Sequence, residues 1–125
     1  MSVVLVDTSV WIDHLRGGPS SAELDRLLDA GFVFLHPWSL YELGLGGVSA
    51  EQWELLETLP APDVPADPAV WRFVQRHGLA RRGIGWVDAG LLAAAHGSGM
   101  SLWTLDEALA AAARRVKLPK VRLPR

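Results

Sequence analysis

Cysteine is absent from this chain, so no disulfide framework braces the fold and no thiolate is available to a metal. That absence fits a cytoplasmic protein, which is the expected location. No apolar run approaches the roughly 20 residues that a membrane-spanning helix needs, so no membrane partner is expected. Met1 to Val6 is too short for a signal peptide and lacks a basic start. The four histidines, His14, His36, His77 and His96, are scattered without metal-ligand spacing. Bases are scarce in the first half: residues 1–63 carry ten acids against only Arg16 and Arg26, whereas residues 64–125 carry four acids against ten bases. The net charge of −2 hides this polarity. It suggests a cationic face able to meet a polyanion, although two solvated faces would look the same.

What is present is enough for one core. Half of the 125 residues are hydrophobic, and a single domain over residues 1–125 is expected. Val3 to Val6 reads as a strand buried on both faces. Asp7-Thr8-Ser9 then caps a helix running to Arg16, which Gly17-Gly18-Pro19 breaks. Ser20 and Glu23 stand at capping-box spacing for a helix to Ala30. Phe32 to Leu35 is a second strand, and Pro37 opens a short helix that contains Glu42. Ser49 and Gln52 form another capping box, for a helix to Leu59. Pro60 to Pro68 is a proline-rich connector with room for a short edge strand at Val64. Asp67-Pro68 starts a helix that Gly78 ends, and Gly85 to Gly97 is an apolar, Gly- and Ala-rich helix packed on the sheet. Ser101 to Leu105 is a third strand, a helix follows from Asp106 to Ala113, and the basic tail ends in a last strand. Strands alternating with helices mean an α/β fold with a mainly parallel sheet.

The acids fall in a pattern. Asp7 follows the first strand and Asp106 the third, and in an open parallel sheet these carboxyl ends share one edge, where ligands bind. Glu42 lies about a turn into the helix after the second strand. Asp88 lies in the first turn of the apolar helix, with no strand evident to feed it. Each has a plainer explanation: Asp7 and Asp106 as helix caps (Thr104 and Glu107 also have capping-box spacing), Glu42 on a solvated face. Asp88 resists it best. Its neighbours Trp86, Val87, Ala89, Gly90, Leu91 and Leu92 are small or apolar and no base lies within a turn, and a buried lone carboxylate costs several kcal/mol unless paired or metal-bound. Clustered carboxylates, without Cys or paired His, suit Mg²⁺ or Mn²⁺. A metal-activated water attacking a phosphodiester is the chemistry that follows.

The chain resembles the PIN-domain family, and within it the VapC-type toxins. The residues that carry the resemblance are Val4-Leu5-Val6-Asp7-Thr8-Ser9-Val10-Trp11-Ile12, Tyr41-Glu42-Leu43, Gly83 through Ala95, and Leu102-Trp103-Thr104-Leu105-Asp106-Glu107. Together they span nearly the whole sequence. The resemblance implies a three-layer α/β/α sandwich and a magnesium-dependent endoribonuclease, with Mn²⁺ a substitute. It implies a homodimer with an RNA substrate and a cognate VapB-type antitoxin. It also implies that Asp7, Glu42, Asp88 and Asp106 form the acidic site, Asp7 and Asp88 first among the metal ligands, with Thr104 and Ser9 as accessory hydroxyls. Family members often carry Phe, sometimes with a further acid, after the last Asp; Ala108 and Leu109 stand there in this chain.

Three rivals remain to be weighed. A phospho-accepting receiver domain would need two adjacent acids after the first strand, where this chain has Asp7-Thr8, and an Asp ending a central strand, where Asp63 sits in the connector. A non-catalytic binding module would be expected to have an incomplete acid set. A nuclease of the same fold outside any toxin system is the third.

Overall fold

The computed structural model describes residues 3–122; the tail base Arg125 lies outside the described residues. β1 (Val4–Val6) is buried at all three positions, as a strand with apolar side chains on both faces requires. It pairs with β2 (Val33–Phe34) and β3 (Ser101–Trp103), and β4 (Val121–Arg122) adds to β3, giving the order β2-β1-β3-β4. Every pairing is parallel, with Val4 opposite both Val33 and Ser101 and Val6 opposite Trp103. The carboxyl ends of all four strands therefore share one edge.

Among the described residues seven helices cover the sheet: α1 (Thr8–Leu15), α2 (Ser21–Asp29), α3 (Pro37–Gly46), α4 (Ala50–Glu57), α5 (Asp67–His77), α6 (Trp86–Ser98) and α7 (Glu107–Arg115). The alternation of side chains along each strand divides the core in two. Val4, Val6, Val33 and Trp103 pack with Val10, Leu24, Leu43 and Leu56 from α1 to α4. Leu5 and Leu102 point the other way and pack with Val70, Leu91 and Leu109 from α5, α6 and α7. This is a three-layer α/β/α sandwich. Each fully buried Leu in it is worth about 1.5–3 kcal/mol of hydrophobic stabilisation. Among the described residues no helix is long and apolar enough to cross a membrane.

Local signals set most boundaries. Ser49 and Gln52 make the expected capping box, each side chain bonded to the other's backbone N–H at 2.9–3.0 Å. Gly78 adopts a left-handed φ of 63° that closes α5, a conformation costly for residues with a Cβ.

Four local expectations fail. No strand forms at Val64, which is exposed coil, because Pro60, Pro62, Pro65 and Pro68 remove a ladder donor every two or three residues. Ser20 makes no side-chain cap. Its N–H goes to Asp13 Oδ2 at 2.9 Å, and Glu23 turns instead to Arg26 and Arg122, since charge-assisted pairs are stronger than a bond to a backbone amide. β3 stops at Trp103, so Thr104 and Leu105 separate it from Asp106. The cap of α7 is Asp106 itself, bonded to the Leu109 N–H at 3.1 Å; Thr104 and Glu107 form no box, because the Thr104 hydroxyl is engaged elsewhere.

Candidate active site

Asp7 is the first residue past β1, at the N-terminus of α1, and it is 7% exposed. Its side chain does not cap that helix. It is held by two hydroxyls instead: Ser9 Oγ and Thr104 Oγ1 both donate to Oδ2, at 2.7 and 2.8 Å. Each hydroxyl is positioned by a backbone amide, since Ser9 Oγ accepts from the Leu105 N–H at 2.9 Å and Thr104 Oγ1 from the Asp106 N–H at 3.0 Å. The Asp7 N–H donates to the Trp103 carbonyl at 2.9 Å. The ends of β1 and β3 are thus laced together around one carboxylate. Ser9 and Thr104 both act on Asp7.

Glu42 stands on the exposed side of α3 and crosses to α1, where Thr8 Oγ1 donates to its Oε1 at 2.9 Å. Asp106 is exposed, and its cap bond to Leu109 engages only Oδ1. Asp88, partly buried in the first turn of α6, accepts from the Gly85 N–H at 3.2 Å. No strand feeds it; residues 78–85 form an irregular loop that does.

The charges of the other three acids reach Asp88. Burial raises the Asp88 pKa above its ordinary value; the Gly85 N–H opposes this, and the charges of Asp7, Asp106 and Glu42 each raise it further. None of the four has a salt-bridge partner among the described residues. Asp7, Glu42 and Asp106 thus lie near enough for their charges to reach Asp88. The gathering is loose: among the described residues no three His, Asp or Glu side chains stand close enough to coordinate one ion directly. An all-oxygen donor set around an unneutralised, partly buried carboxylate suits a hard divalent cation that keeps some of its waters.

Three participants were not singled out in the sequence. Thr8 reaches a partner 34 residues away, and its place in Asp7-Thr8-Ser9 was the only hint. Gly85 contributes only its backbone. His36, fully buried just past β2, accepts from the Trp38 N–H through Nδ1 at 3.0 Å and so caps α3, the helix of Glu42. Burial lowers its pKa to about 4, so the ring is neutral.

Known proteins agree with this architecture. Residues 4–115 match the family model described as PIN domain. The chain is 42% identical over 113 residues to Ribonuclease VapC32 of two Mycobacterium tuberculosis strains, CDC 1551 / Oshkosh and ATCC 25618 / H37Rv, covering 88% of this chain and 90% of the relative. The crystal structure of PAE2754 from Pyrobaculum aerophilum superposes with a TM-score of 0.64 over 91% of this chain and 88% of that one, at 22% identity, a likeness of fold alone. The chain belongs to the PIN-domain family, in its VapC branch.

Proposed function

We propose that this protein is a divalent-metal-dependent endoribonuclease, the toxin of a toxin–antitoxin pair, with Asp7, Glu42, Asp88 and Asp106 as its acid set. The observation that carries the reading is the setting of Asp88: a partly buried carboxylate that the charges of Asp7, Asp106 and Glu42 all reach, with no salt-bridge partner among the described residues. Asp7 and Asp88 would hold Mg²⁺, or Mn²⁺ in its place, with Glu42 and Asp106 completing the set directly or through water. When bound, the ion supplies Lewis-acid stabilisation of charge on the phosphoryl oxygens and the leaving group.

The chain's own groups do the rest. Ser9 and Thr104 fix the Asp7 carboxylate by donating to one oxygen, and no other side chain among the described residues donates to Oδ1. Glu42, held by Thr8 through Oε1, keeps Oε2 free, and Asp106 keeps Oδ2 free. One of the two orients the attacking water and accepts its proton. The exposed Arg72, Arg76, Arg81, Arg82, Arg114 and Arg115 supply the cationic face for RNA or for a VapB-type antitoxin. A homodimer and a cytoplasmic location complete the reading.

The test is cleavage of RNA by the purified protein with Mg²⁺ or with chelator. Asp7→Asn, Glu42→Gln, Asp88→Asn and Asp106→Asn should each abolish or sharply reduce cleavage without unfolding the chain. Asp13→Asn, whose carboxylate only closes the turn to Ser20, should cleave normally. Undiminished cleavage by Asp88→Asn, or cleavage indifferent to chelator, would refute the site. Growth arrest on induction, relieved by co-expressing a small protein from the adjacent gene, tests the toxin role.

A further inference from the structure

Two tryptophans are left in water on one cleft. Trp71 on α5 is 52% exposed and Trp86 at the start of α6 is 42% exposed. Both line a cleft of about 170 Å³ together with Val74, Leu79, Ile84 and Arg81. Single exposed apolar side chains are ordinary, whereas here two indoles border one hollow. Trp86 is also firmly supported. Its ring lies 6.5 Å from that of Trp38, inclined by 33°, and Trp38 lies 5.1 Å from His36. Gly90 makes room for the Trp38 ring, which a Cβ there would overlap.

The cleft meets the acid set through the backbone of Gly85. Trp86 precedes Asp88 by two residues, and Gly85, also in the cleft wall, donates its N–H to the Asp88 carboxylate. Arg81 brings a guanidinium to the rim, with Arg72, Arg76 and Arg82 exposed on the same helix and loop. Flat aromatic walls beside a cationic rim match a planar heterocycle joined to an anion. Resting on the ribonuclease reading, we propose that the Trp71–Trp86 cleft receives one unpaired base of the RNA beside the cleavage site, with Arg81 on an adjacent phosphate.

The experiment is binding of a fluorescently labelled, unstructured single-stranded RNA in chelator, where cleavage is off, followed by anisotropy. Trp71→Ala and Trp86→Ala should each weaken binding about tenfold, the size expected for one lost stacking contact. Trp71→Phe and Trp86→Phe should keep most of it. Arg81 holds a left-handed φ of 63°, so Arg81→Gly removes the guanidinium while relieving the backbone. It should lower the salt slope by roughly one unit without lowering the melting temperature. An otherwise identical RNA made abasic should bind wild type about tenfold more weakly and be indifferent to the tryptophan substitutions. Equal affinity for abasic RNA, or unchanged binding by both Ala variants, overturns the proposal while leaving a cleaving enzyme. Loss of a dimer in Trp71→Ala with RNA affinity intact assigns the cleft to a second copy of the chain and also overturns it. If wild type neither binds nor cleaves RNA, the ribonuclease reading fails first and takes the cleft with it.

Discussion

Thr104 has no exposed surface, yet its hydroxyl serves two partners at once, donating to Asp7 and accepting from the Asp106 N–H. Valine has nearly the same shape and can do neither. Thr104→Val would leave a buried carboxylate oxygen short of a donor and orphan the amide of Asp106, at about 1–3 kcal/mol for such an unsatisfied group. Because Thr104 positions a proposed metal ligand rather than touching substrate, the expected loss of activity is about 10–100-fold, smaller than for Asp7→Asn. Thr104→Ser keeps the hydroxyl and should recover most of it. The readout is the Mg²⁺ concentration for half-maximal cleavage. It should rise in Thr104→Val and return in Thr104→Ser; a rate loss with that concentration unmoved would remove Thr104 from the site. Ser9 makes the same pair of bonds from the other side, to Asp7 and the Leu105 N–H, so the two substitutions should couple non-additively.

Helix α3 carries Glu42 and depends on a histidine for its start. His36 accepts the Trp38 N–H through a neutral nitrogen, and burial holds its pKa at about 4 against 6.5 when free. A base lowered in the folded state contributes its stability in full above the unfolded pKa and loses it as pH falls through the folded one. The fold should therefore weaken between pH 6.5 and 4, by up to about 3 kcal/mol for this residue. His36→Asn places a non-titrating cap at the same position and should flatten the decline, read as denaturation midpoints at pH 7, 6 and 5; parallel curves would show that the ring does not govern it. The cap was not legible in the sequence, where histidine is an uncommon capping residue, whereas the Ser49–Gln52 box was, because both its partners lie within one turn. The same division runs through the site. Asp7 and Asp106 were placed because strand ends are local signals; the Thr8–Glu42 bond was not, because nothing near Thr8 says that α3 crosses it. His77 and His96 likewise have no informative spacing, and only the packing of α5 on α6 brings their rings to 5.3 Å.

At the scale of the molecule, charge is sorted and the acidic site is the strained part of it. Arg122 is neutralised by Glu23 at 2.7 Å and lies over Trp103, so β4 takes one tail base out of the cationic face, whereas among the described residues no ion pair relieves Asp88. An acid whose folded pKa is raised keeps the fold at full strength below its unfolded pKa and weakens it as pH rises through the folded one. Burial and the charges of Asp7, Asp106 and Glu42 put Asp88 in that class, so the metal-free protein carries this repulsion increasingly as pH rises. A divalent ion that binds the folded site and hardly the unfolded chain should raise the melting temperature. At a hundred times its dissociation constant the gain is about 2.7 kcal/mol. Asp88→Asn removes the charge at the centre of the repulsion, and Asn retains an oxygen for the Gly85 N–H. It should melt higher than wild type in chelator and gain less from Mg²⁺, two shifts of opposite sense from one substitution. Thermal unfolding at neutral pH, with chelator and with Mg²⁺, reads both. A variant that melts lower without metal and gains as much with it would make Asp88 a structural residue, and the four acids would then be neighbours without a common ligand.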